Sequence, residues 1–161
     1  MPKLQYPAYF EGDLLGAKVT EDIEHREAFI FVPYKMLITT GKAKVHPVLK
    51  KIIAENPEAF SQEGNPDWEQ MTLVLFLIYE ATIGVESYWF PYLRQMPDVE
   101  FTSQWTRDEL MESQDIYFYN GLWEEHRELN QEWNLMKDVM SKYPDIFVNH
   151  IDKGFFYNVY A

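Results

Sequence analysis

The chain has 161 residues, 26 Asp plus Glu against 14 Lys plus Arg, a net charge of −12 and no cysteine. The charge excludes a generic phosphate-backbone binder, which needs a basic face. The missing cysteines exclude disulfide scaffolds, thiolate metal sites and thiol catalysis, and a hydrophobic content of 47% excludes a disordered chain.

The N-terminus, Met1-Pro2-Lys3-Leu4-Gln5-Tyr6, lacks the pattern of a secretory signal. The most apolar stretch, Met71 to Tyr79, is too short to span a bilayer. These features point to an intracellular, cytoplasmic chain with no membrane span and no nucleic-acid partner.

Leu14 to Ile23 reads as strand-like. After the polar turn Glu24-His25-Arg26 comes the apolar run Ala28-Phe29-Ile30-Phe31-Val32, closed by Pro33. Such a run between turn signals predicts a buried strand, and the two segments together predict a β-hairpin. From Pro47 the period becomes helical: Val48, Leu49, Ile52 and Ile53 share a face, and Pro57 is placed to stop that helix.

Asn65-Pro66-Asp67 marks the next helix start, with Asn65 as the expected cap. This helix should run to Ile83, with Gly84 ending it. It is apolar nearly all round from Leu73 to Tyr79, which predicts a central buried helix. Thr106-Arg107-Asp108-Glu109 has the spacing of a capping box. A long helix is predicted from Tyr119 to Lys142. One face carries Leu122, Leu129, Trp133, Met136 and Val139, and the other carries Glu124, Glu125, Glu128, Glu132 and Asp138. The aromatic segment Phe155 to Ala161 reads as the start of a helix whose apolar face a partner or further chain would cover.

The histidines His25, His46, His126 and His150 form no metal-ligand spacing, so no metal site is expected. There is no G-x-S-x-G, Walker loop or G-x-G-x-x-G. Most of the aromatic residues belong to a core. Tyr88-Trp89-Phe90-Pro91-Tyr92 is different, because four aromatics and a proline in five residues cannot all face one core. Tyr88, Trp89 and Tyr92 are therefore candidates for a substrate or partner groove.

Ser87-Tyr88-Trp89-Phe90-Pro91-Tyr92-Leu93-Arg94-Gln95-Met96-Pro97 resembles the S-x-W-x-P-Y-L-x-x-L-P signature of one branch of SET-domain protein methyltransferases. That branch holds the Rubisco large-subunit lysine methyltransferases and the actin-histidine methyltransferases. Three further segments resemble the same branch in the same order: Leu14 to Ile23, Glu27 to Pro33, and Met36 to Thr39. Met71 to Glu80 resembles the family helix that ends in an apolar pair and Glu.

The resemblance implies an α+β fold: a partial SET domain with a short sheet near the N-terminus and a mainly α-helical insert. It implies three regions: residues 1–45, an N-terminal SET portion; 46–145, the insert; and 146–161, the start of a C-terminal SET portion. It implies S-adenosyl-L-methionine as cofactor, with Gly16, Glu27, Ala28 and Phe29 at the cofactor-binding positions.

Two departures matter. Leu14 stands where the family has its first glycine, and the V-x-S-R-x-F, Asn-His and catalytic Tyr motifs that lie beyond a segment like Phe155 to Ala161 in the family are absent at that place. No residue is therefore assigned a catalytic role. The expectation is a lysine or histidine N-methyltransferase-like chain, incomplete and inactive on its own, that needs a partner chain or a missing C-terminal half. The alternatives are a catalytically dead SET-derived adaptor subunit of a larger complex, and an unrelated small acidic helical adaptor.

Overall fold

The computed structural model describes residues 3–12, 14–97, 101–147 and 152–160, and His150 lies outside them. It has α+β composition and divides into two compact units, residues 1–37 and 38–161.

The first unit is built on two antiparallel strands, β1 (Leu4–Phe10) and β2 (Leu14–Val19). Leu4 pairs with Val19 and Phe10 with Leu14, with an irregularity between Gln5 and Ala8. The hairpin is therefore not the predicted one. Its first strand lies upstream of Leu14, and Ala28–Val32 joins no ladder among the described residues. A strand is defined by its pairing partner, and both described strands are already paired with each other. Phe31 is 88% exposed in consequence. Pro33 leads into a 3-10 turn, Tyr34–Met36.

The second unit is helical. Thr39 caps α1 (Thr40–Val45) by accepting from the Lys42 N–H. His46 Nδ1 accepts from the N–H groups of Val48 (3.3 Å) and Leu49 (3.4 Å), satisfying donors at the start of α2 (Leu49–Glu55). Pro57 ends α2 as predicted and also opens a one-turn helix, α3 (Pro57–Phe60). Proline suits that first position because its missing N–H has no intrahelical role there.

Helix α4 (Trp68–Ile83) is the buried centre expected from its sequence. Met71, Val74, Leu75 and Ile78 are all buried in a core shared with Leu49 and Ile52 of α2. Its N-cap is Asp67 rather than Asn65. Asn65 instead makes a local turn, its Oδ1 accepting from the Asp67 N–H at 2.7 Å, while its Nδ2 donates to Glu132.

A short α5 (Phe90–Leu93) follows. Next comes α6 (Arg107–Glu112), which has the predicted capping box. Thr106 Oγ1 accepts from the Glu109 N–H, and the Thr106 N–H donates to Glu109 Oε2 at 2.7 Å. The long helix α7 (Ile116–Ser141) is capped by Asp115 and buries Leu122, Leu129, Met136 and Val139 at helical spacing.

The aromatic segment near the chain end forms α8 (Lys153–Tyr160). It does not present a bare apolar face. Phe156 is fully buried, and its ring centroid lies 5.3 Å from that of Trp133 on α7. Helical rotation explains the correction: Phe156 and Tyr160, four residues apart, share the inward face.

One buried polar knot ties α2 and α3 to the end of α7. Asn56, fully buried, donates to the Ile52 carbonyl (2.8 Å) and to the Tyr143 hydroxyl (3.0 Å), and accepts from Lys142 Nζ (2.6 Å). Tyr143 in turn donates to Glu55 at 2.7 Å. Satisfying every polar atom of a buried amide removes a large desolvation penalty.

Candidate functional site

The residues that the sequence places at a cofactor, Gly16, Glu27, Ala28 and Phe29, all lie in the first unit. Glu27 is held in place by Lys3, whose Nζ donates to it at 2.8 Å and to the Asp22 carbonyl at 2.6 Å. The Glu24 N–H also donates to Glu27, at 2.9 Å. The Lys3 hydrogen bond, followed by that of Glu24, holds the Glu27 carboxyl below the ordinary carboxylate range. Glu27 thereby closes the loop between Asp22 and Ala28 onto β1.

Gly16 lies within β2, where an added Cβ would approach the Phe10 ring to 3.2 Å. The glycine is thus accounted for by cross-strand packing of Phe10. Ala28 and Phe29 are exposed. Their backbone groups make no hydrogen bond among the described residues, and Phe29 presents half of its ring to solvent. Of the four, Ala28 and Phe29 therefore have groups available to a ligand. Glu27 and Gly16 shape the loop and the hairpin.

The aromatic signature lies in the second unit. Gly84 ends α4 at φ +66° and ψ −129°, a conformation that only glycine adopts without strain. A 3-10 turn (Gly84–Glu86) follows and brings Ser87 back onto α4. The Ser87 hydroxyl donates to the Glu80 carboxylate at 2.5 Å and accepts from the Trp89 N–H at 2.9 Å. Both Ser87 and Glu80 are buried.

This relay sets the direction of the cluster. Trp89 turns inward, with its ring edge-on to Phe76 at 6.5 Å and to Tyr88 at 5.1 Å. Lys42 Nζ lies 4.9 Å from the Trp89 ring centroid, within cation–π range. Tyr88 and Tyr92 point outward and are more than half exposed. The three candidates thus divide into an anchor, Trp89, and two exposed phenols able to contact a peptide through both face and hydroxyl.

Glu80 and Ser87 are the residues that sequence reasoning passed over. Both lie inside the segments that carry the resemblance, and a carboxylate ending an apolar helix was the signal that could have singled them out.

His46 is a helix cap packed against Tyr79 with centroids 4.8 Å apart, and His126 stacks on Trp123 at 5.9 Å. Among the described residues no group of three or more His, Asp or Glu side chains could hold a metal ion. No helix among them is long and apolar enough to cross a membrane.

Three curated proteins, all actin-histidine N-methyltransferases, are similar to this chain. The Gallus gallus protein is 23% identical over 154 residues, which is 95% of this chain and 25% of that protein. The Danio rerio protein is 31% identical over 100 residues, 62% of this chain and 15% of that protein. The Canis lupus familiaris protein is 24% identical over 136 residues, 84% of this chain and 22% of that protein. The chain is methyltransferase-like over nearly its whole length, and it spans a quarter or less of the length of these relatives. No protein-family model and no solved structure matches it.

Proposed function

We propose that these residues form part of a SET-domain protein N-methyltransferase that modifies a lysine or histidine side chain. Residues 1–45 are read as the N-terminal SET portion, 46–145 as the helical insert and 146–161 as the beginning of the C-terminal portion. The carrying observation is the similarity to the Gallus gallus actin-histidine N-methyltransferase, which runs over 95% of the chain. The ordered motifs from Leu14 to Pro97 support the same reading.

S-adenosyl-L-methionine, when bound, supplies an electrophilic methyl group on its sulfonium. Ala28 and Phe29 would hold part of it, the first through open backbone groups and the second through its exposed ring. Glu27 fixes the loop that carries them. Tyr88 and Tyr92, oriented by Trp89, Ser87 and Glu80, receive the protein substrate. In-line methyl transfer depends on alignment of donor and acceptor. The family's Asn-His pair stands beyond a segment like Phe155 to Ala161, whereas Asn149-His150 precedes that segment, and the catalytic Tyr motif is not among these 161 residues. The chain by itself therefore supplies part of the alignment and performs no transfer. A cytoplasmic setting fits a protein substrate of this kind.

The experiment compares residues 1–161 with the longest reading frame that contains them, by calorimetry with S-adenosyl-L-methionine and by transfer of labelled methyl to protein. The longer frame should bind and transfer, and residues 1–161 should not transfer. Phe29→Ala should weaken cofactor binding, whereas Tyr92→Ala should raise KM for the protein substrate. A frame that ends without Asn-His and Tyr motifs and binds no cofactor would overturn the enzyme reading. That result would favour the SET-derived adaptor, which Leu14 at the first glycine position also suits.

A further inference from the structure

A second feature of the helical unit is independent of the methyltransferase reading. A cavity of about 390 Å³ opens between the start of α4, the middle of α7 and the last turn of α8. Its floor is apolar, formed by Phe101, Leu129 and Tyr160, and its rim carries Asp67, Glu125 and Glu128. Glu132, one turn further along α7, accepts from Asn65 Nδ2 at 2.9 Å.

Asp67, Glu125, Glu128 and Glu132 form no ion pair with any cation among the described residues. The Tyr160 hydroxyl has no hydrogen-bond partner among them either, while the Tyr160 carbonyl accepts from Gln70 Nε2. The negative field is felt inside the cavity. Burial, then the charges of Glu132, Asp67 and Glu128, push the Tyr160 phenol above its ordinary value.

We propose that this cavity receives the side chain of a lysine or arginine from a protein partner. The occupant follows from charge complementarity and shape. A lysine or arginine has an apolar stem that suits Phe101, Leu129 and Tyr160, and a cationic head that suits carboxylates and an aromatic face. An apolar side chain would leave the carboxylates uncompensated. An anion would be repelled by the rim and by the −12 charge of the chain. The stem supplies contact area and the carboxylates supply direction, so the site selects a basic residue rather than positive charge in general.

The test titrates the full chain with capped Gly-Lys-Gly and Gly-Arg-Gly, using Gly-norleucine-Gly as the uncharged control, and follows backbone amides by NMR. Shifts from the basic peptides should concentrate at Glu125–Leu129 and Tyr160, with norleucine producing none there. This map is read on the unaltered chain and needs no variant to fold. The double variant Glu125→Gln with Glu128→Gln should lose up to about tenfold in affinity, because two exposed charge pairs are removed. The double variant Asp108→Asn with Glu112→Gln removes the same charge from α6 and should change little. Equal losses in the two double variants would assign the attraction to overall charge and overturn the site. So would equal shifts with norleucine, or no shift with either basic peptide.

Discussion

The Ser87 hydroxyl donates to the Glu80 carboxylate across the bend that ends α4, and this contact decides which way Trp89 faces. Glu80 is only 6% exposed. Ser87→Ala removes the donor and leaves a buried acceptor without that partner, at a cost of about 1–3 kcal/mol. Glu80→Gln keeps an oxygen that can accept from Ser87 and should cost less. Urea unfolding gives the two stabilities, and near-ultraviolet circular dichroism reads the orientation of Trp89. Equal stability of Ser87→Ala and the parent would show that the contact does not position the cluster.

Phe156 gives a sharper contrast. It is fully buried, with its ring 5.3 Å from Trp133 and 5.3 Å from Tyr160. Phe156→Ala should cost about 3–5 kcal/mol, because both transfer energy and a cavity are involved. Tyr92→Ala removes a ring that is 53% exposed and should change stability by less than about 1 kcal/mol. Hydrogen exchange should show protection lost across Lys153–Tyr160 in the first variant and retained in the second.

These two positions show what a sequence can and cannot reveal. Helix α4 was legible because it is apolar nearly all round from Leu73 to Tyr79 and lies between Asn65-Pro66 and Gly84. Helix α7 was legible from the spacing of Leu122, Leu129, Met136 and Val139. The hairpin was misplaced for a physical reason. Pro7 breaks the apparent alternation of Leu4–Phe10, whereas the uninterrupted run Ala28–Val32 looks more like a strand than the true one. Pattern reports side-chain preference, and pairing depends on a neighbour elsewhere in the chain.

The candidate site was half legible for a related reason. Tyr88, Trp89 and Tyr92 stand out by density, but the inward turn of Trp89 depends on a 3-10 turn that returns Ser87 to Glu80. The carboxylates of the acidic cavity come from Asp67 and from α7, far apart in sequence, and only tertiary packing brings them together.

Gly84 tests whether that 3-10 turn is imposed by the backbone. A Cβ there would meet no atom within 4 Å, so a substitution acts through the backbone alone. At φ +66° and ψ −129°, Gly84→Ala should cost about 1–3 kcal/mol. It should also disturb the Ser87–Glu80 contact, because the 3-10 turn begins at this residue. The check is thermal unfolding combined with the near-ultraviolet signal of Trp89. A loss of stability with that signal unchanged would separate the helix stop from the aromatic cluster.

Glu132 gives a pH dependence with a definite sign. Burial lifts its carboxyl above the ordinary range, the Asn65 hydrogen bond opposes this, and the charge of Asp67 adds to it. The folded state therefore holds the proton more tightly than the unfolded state does. Its contribution is most favourable below the unfolded value and is lost as pH rises from that value through the folded one. Glu132→Gln keeps an oxygen to accept from Asn65 and removes the ionisation. The variant should be more stable than the parent at pH 7, and the difference should shrink as pH falls through the carboxylate range. Chemical unfolding of both proteins from pH 4 to pH 8 measures it. A difference that stays constant over that range would mean that the Glu132 carboxyl titrates alike in the folded and unfolded chains.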